Sequence, residues 1–233
     1  MTTPSRTGFA ELSAAAGNLS TAATVPAGTN LAVAFWSHWD GNAGSSASSL
    51  SINGVAMTIQ SQLAEGATTD ENGVGVATLV SPAIGSQTHA LTWSAGGARS
   101  EGGEVVFAYY QDGNTSDPVR ASATDARTGS TDAVASVANT EFADRVVGFY
   151  ETFDGNPTIT GVTAFINGTS LNSHIYDVGD ATGLTGTVNV SSSAANSYDC
   201  AAAISLKESA GGAGLAIPIA AYHYNHHLGS MSS

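Results

Sequence analysis

The chain has 233 residues, 42% of them hydrophobic and only 11% charged, with a formal net charge of −13. That length and apolar content suit a folded domain that buries a core without covalent staples, and they exclude a disordered chain. The acidity excludes direct binding to phosphate backbones and disfavours anionic membranes, whereas a basic protein surface would suit it as a partner.

The N-terminal Met1-Thr2-Thr3-Pro4-Ser5-Arg6 has no apolar run behind its charge, so no signal peptide is expected, and residues 1–18 read as a separate N-terminal segment. Phe9 to Ala16 carries the only notable helix propensity, cut short by Gly17. From residue 19 onward, short apolar or alternating runs are separated by Gly, Asn, Asp and Ser clusters, which predicts strands. They fall near 19–25, 30–39, 49–53, 55–64, 73–81, 87–94, 103–111, 119–124, 133–138, 144–153, 158–167, 171–178, 185–191 and 197–207. Asn53-Gly54 between two such runs supplies the positive φ angles of a tight hairpin. Cys200 is the only cysteine, so no internal disulfide can form, and the apolar run after it predicts a buried thiol. Many short strands without an alternating β/α pattern predict an all-β fold: an antiparallel, jelly-roll-like β-sandwich over residues 19–208.

Residues 209–233 read differently. Ser209-Ala210-Gly211-Gly212-Ala213-Gly214 has linker composition. Behind it Leu215, Ile217, Pro218, Ile219, Tyr222, His223, Tyr224, His226, His227 and Leu228 form an apolar and aromatic arm, too short to span a bilayer. Such a segment is unfavourable in water unless it docks, so these residues are expected to bind a partner, a sister subunit or the chain's own sandwich.

Three sets of side chains could carry chemistry. Aromatic strands run into Asp-Gly-Asn three times, at Asp40, Asp112 and Asp154. Ordinary turn chemistry explains this, and three loops gathered at one end of the sandwich would instead make a Ca²⁺-binding rim. His223, His226 and His227 could ligate a transition metal. Trp36 and Trp39 flank His38 on an aromatic strand that could stack on a sugar ring. No nucleophile elbow, phosphate loop or His-Glu-x-x-His pair is present, so no enzyme activity and no obligatory cofactor are expected.

Several segments in order resemble a family of β-sandwich domains in virion structural proteins of tailed phages and prophages. They are Val25-Pro26-Ala27-Gly28-Thr29-Asn30, Ser51 to Thr58, Thr78 to Gly85 with Leu91-Thr92-Trp93-Ser94, Tyr110 through Val119, and Ala201 to Leu206. The resemblance spans roughly residues 19–208 and brings no catalytic residues with it. It implies a non-enzymatic virion protein made in the host cytoplasm, a capsid decoration or head-fibre protein that docks on other virion proteins through the C-terminal arm. A homo-oligomer, such as a trimer, would fit. A neck, tail or baseplate component and a carbohydrate-binding adhesion module remain as alternatives.

Overall fold

The computed structural model describes residues 2–14, 17–38, 44–64, 66, 73–94, 103–127, 132–152, 155–171, 174–193 and 198–209. Among them the strands are β1 (Ser5–Ala14), β2 (Leu19–Val25), β3 (Leu31–His38), β4 (Ala47–Ile52), β5 (Val55–Ala56), β6 (Thr58–Leu63), β7 (Gly73–Val80), β8 (Gly85–Trp93) and β9 (Gly103–Gln111). Then follow β10 (Val119–Arg127), β11 (Ala135–Thr140), β12 (Arg145–Thr152), β13 (Ile159–Thr160), β14 (Thr163–Leu171), β15 (His174–Thr182), β16 (Gly186–Ser192) and β17 (Asp199–Leu206). The expected all-β sandwich is present. One part of the N-terminal reading is corrected, because residues from Ser5 to Ala14 are an edge strand paired antiparallel to β9. Alanine-rich helix propensity over Phe9–Ala14 is overridden by a ladder already waiting for a partner.

The strands form four sheets with a repeated order. Sheet β1-β9-β3-β7-β6 packs on β2-β8-β4-β5, and sheet β10-β17-β12-β15-β14 packs on β11-β16-β13. Each pair is a jelly roll, two sheets with strands drawn alternately from both. Replacing β1, β9, β3, β7 and β6 by β10, β17, β12, β15 and β14 gives the same sheet, so the chain is two copies of one topology. Residues follow suit. Asn30 to Asn42 and Asp144 to Asn156 both read Phe, aromatic, then Asp-Gly-Asn. Ile52-Asn53-Gly54-Val55 is matched by Ile159-Thr160-Gly161-Val162, and both glycines have positive φ. The single sandwich expected from the sequence is therefore a tandem pair.

The two jelly rolls meet through their five-stranded sheets, giving four layers and three cores. Along β3 the side chains alternate between two of these. Ala32, Ala34 and Trp36 join Leu50, Leu91 and Phe107 in the first core, while Leu31, Val33 and Phe35 join Phe149, Tyr176 and Ile204 in the middle one. The third core lies between the sheets of the second jelly roll, around Val146, Tyr150, Val188 and Val190. Phe35 and Phe149, equivalent positions of the two repeats, stack at 5.9 Å with planes 8° apart. A strand in such a sheet has no wet face, which is why all eight residues of β3 and all eight of β17 are buried.

Glycines make room for the largest rings. A Cβ on Gly75 would lie 2.0 Å from Trp36 Cζ2, and one on Gly73 would lie 1.9 Å from His38 Cε1.

Candidate functional site

The strand directions give the body two unlike ends. β3 starts at Leu31 beside Tyr110 of β9 and Val80 of β7, and ends at His38 beside Gly103 and Gly73. Arg145 of β12 likewise starts beside Leu206 and Thr182. At the Leu31 end the connections are short, spanning 26–30, 81–84, 112–118, 141–144 and 183–185. At the His38 end most are longer, spanning 39–46, 64–72, 94–102, 128–134, 153–158 and 193–198, with 15–18 and 172–173 the short ones.

Both ends of the described chain lie at the short-turn end, where Thr2 bridges Ser209 and Gly113 bridges Glu208. Cations gather there and each meets a carboxylate. Arg145 donates to Asp180 at 2.7 Å, Arg6 lies 3.4 Å from the same carboxylate, Arg120 pairs with Asp144, and Lys207 with Asp117. Arg6 also sits 3.6 Å over the ring of Phe165, joining the two repeats.

The loop end carries most of the buried acids, Glu104, Glu151, Asp177 and Asp199. Ser37, on the middle-core face of β3, donates to Glu104 Oε2 at 3.3 Å and lies against Glu151 Oε2 of the opposing sheet. One hydroxyl has one proton, so it serves one glutamate at a time. Tyr176 donates to Glu11 at 2.6 Å, and burial raises its phenol far above the ordinary range, helped by the charges of Glu11, Glu104 and Glu151. In the first core His38 Nε2 is 3.0 Å from the Ser45 carbonyl, with its ring 4.4 Å from Trp93. Asp177 accepts from the backbone N–H of Ile159 and of Gly168. Tyr150 donates to Asp199 Oδ2 at 2.6 Å. Burial pushes the Asp199 carboxyl up, the hydrogen bonds from Tyr150 and Thr152 pull it down, and the charge of Asp132 pushes it up again. These groups tie sheets together inside the protein: Ser37, Glu151, Asp177 and Asp199 are fully buried.

The residues singled out in the sequence fall as follows. Trp36 is fully buried in the first core, so its faces are closed to a sugar. Trp39, Asp40, Asp154 and the whole arm from Leu215 to Leu228, with His223, His226 and His227, lie outside the described residues. Asp112 is described, and it corrects the three-loop rim. Its turn follows β9 at the short-turn end, whereas β3 ends at His38, about 23 Å away at about 3.3 Å per residue. Antiparallel neighbours finish at opposite ends, so Asp112 does not stand at the end where β3 and β12 finish. Asp112 has φ of 60° and its carbonyl accepts from Ser209, which is turn chemistry. Cys200 is buried as expected. Among the described residues no group of three or more His, Cys, Asp or Glu side chains comes together to hold a metal. The buried acids at strand ends were missed by sequence reasoning. Their signal is the polar residue closing an apolar strand, Ser37-His38 after Trp36 and Glu151-Thr152 after Tyr150.

No protein-family model matches the chain, and no curated protein matches it.

Proposed function

We propose that this chain is a non-enzymatic structural protein of a phage particle, a capsid decoration or head-fibre protein that attaches by residues 209–233 and displays its loop end outward. The observation that carries the reading is the polarity of the body. The chain leaves the sandwich at Ser209, among short turns, at the end opposite the long loops. An attachment segment at one end and long connections at the other suit a module that stands on a surface. The sequence resemblance to phage virion sandwiches supports the same reading, and jelly rolls are a common architecture of viral shells. The fold by itself leaves function open. Many copies, each docking weakly, would attach and reinforce the shell together.

The test is incorporation into particles. Full-length protein and a variant lacking residues 209–233 are expressed during particle assembly, and purified particles are analysed for copy number relative to the main shell protein. The reading expects full-length protein at a number comparable with the shell protein, and loss of the truncated form although it unfolds as cooperatively as the full chain. Normal incorporation of the truncated form, or absence of the full chain from particles, refutes it. A much lower copy number moves the protein to the neck or tail.

A further inference from the structure

An asparagine or aspartate followed by glycine is open to attack by its own backbone, because the glycine nitrogen has no Cβ beside it to hinder its approach to the preceding side chain. Three such steps lie wholly within the described residues, and the fold treats them differently. In Asn167-Gly168 the glycine N–H donates to the buried Asp177 Oδ1 at 2.7 Å. In Asp112-Gly113 it donates to Asn30 Oδ1 at 3.2 Å. Both nitrogens are held by an acceptor. In Asn53-Gly54, at the tip of the β4–β5 hairpin, both residues are exposed, and among the described residues the Gly54 N–H has no acceptor. A Cβ on Gly54 would meet nothing within 4 Å, so the tip stands in open solvent. Little holds it shut: β5 is two exposed residues, paired to β4 only through Ser51↔Ala56 and Ile52↔Val55. A short exposed ladder of this kind opens locally while the rest of the domain stays folded.

We propose that Asn53 is a site of spontaneous deamidation, with water as the only co-reactant. When the tip opens, Asn53 leaves its turn conformation, where φ is 52°. The Gly54 nitrogen gives its proton to hydroxide and attacks Asn53 Cγ. The new C–N bond closes a cyclic imide, and the side-chain nitrogen takes a proton from water and leaves as ammonia. Water then opens the imide. Breaking the bond from the nitrogen to Cγ gives aspartate, and breaking the bond to the backbone carbonyl carbon gives isoaspartate. Aspartate keeps the hairpin, since Asp-Gly suits the same two-residue turn. Isoaspartate carries the chain through its side-chain carbon and lengthens the tip, which disrupts the Ile52↔Val55 pairing. Either product adds a negative charge to the outer sheet of the first jelly roll. Asn167 is protected in the folded chain, because its glycine nitrogen stays bound to Asp177. The inference rests on the hairpin and does not depend on the proposed virion role.

The test incubates the full chain at mildly alkaline pH, folded and in urea, and follows both Asn-Gly peptides by mass spectrometry with fragmentation that separates aspartate from isoaspartate. In the folded chain position 53 is expected to gain the mass of an amide turned to an acid, as a mixture of the two products, while Asn167 stays intact. In urea, where neither glycine nitrogen is held, the two positions convert at similar rates. Three results overturn the proposal. An unchanged Asn53 in the folded chain would show that the turn holds it closed. Equal conversion of Asn53 and Asn167 in the folded chain would show that the bond to Asp177 gives no protection. Conversion of Asn53 to aspartate without isoaspartate would rule out the cyclic route.

Discussion

Truncating Phe149 should be felt by tryptophans that belong to the other repeat. All three tryptophans, at 36, 39 and 93, precede β10, and Trp36 and Trp93 lie in the first core, so tryptophan fluorescence reports on the first jelly roll. Phe149 belongs to the second, but its ring stacks on Phe35 in the middle core, and both rings are fully buried. Phe→Ala at such a position costs about 3–5 kcal/mol from lost burial and the cavity left behind. The paired rings add about 0.5–1.5 kcal/mol beyond their area, so Phe35→Ala and Phe149→Ala together should cost less than their sum by about that amount. Urea unfolding followed by fluorescence and by far-ultraviolet circular dichroism measures both effects. If the middle core joins the repeats, the two probes give one coincident transition, and Phe149→Ala moves it for both. The reasoning fails if Phe149→Ala leaves the fluorescence transition in place and shifts only a separate one. It also fails if the two substitutions add within about 0.3 kcal/mol.

Gly75→Ala tests the packing of the first core. The added methyl meets the buried indole of Trp36, and the expected loss is about 1–3 kcal/mol by urea midpoint; an unchanged or raised midpoint would show that the indole can move aside. His89 gives a pH dependence. Its Nδ1–H donates to the Gln87 carbonyl at 3.0 Å, Nε2 accepts from Tyr109 at 2.8 Å, and burial lowers its pKa below the ordinary 6.5. The unfolded chain then binds the proton more readily, so this stabilisation is present above about pH 6.5 and is lost as the pH falls below it, by at most about 1.4 kcal/mol per pH unit. His89→Gln should flatten that slope between about pH 5 and 7, and an unchanged slope would assign it to another group.

Much of the secondary structure was legible because it depends on local signals. β2 and β9 occupy the expected spans, and Asn53-Gly54 turns between β4 and β5 as its φ angles require. What was not legible depends on distant partners. β1 has alanines and a glutamate that favour a helix in isolation, and only the exposed edge of β9 makes it a strand. Trp36 reads as an aromatic platform until glycines on the neighbouring strand are seen to seat its ring. The duplication was written in the Phe, aromatic, Asp-Gly-Asn and Ile-x-Gly-Val segments. It was hidden by the third Asp-Gly-Asn, at Asp112, which closes a different strand and breaks the spacing.

The middle core also accounts for where polar chemistry can reside. A lone copy of the first jelly roll would expose Leu31, Val33, Phe35, Val74, Val76, Val106, Ala108 and Tyr110 on one sheet face. A face of that composition is an interface or an aggregation hazard on a soluble domain, so the second repeat is needed to cover it. Once covered, the central strands have apolar neighbours on both sides, and a charge placed in their middle would have to be paired at high cost. Ionisable residues are accordingly pushed to the strand ends: Arg145, Asp180 and Arg6 at one, Glu104, Glu151 and Asp199 at the other. The cationic end finds its counter-ions within the chain and leads into residues 209–233. The acidic end gathers Glu104, Glu151 and Asp199 beside the long connections. Burying a shared apolar face between two copies therefore leaves the two ends as the places for recognition.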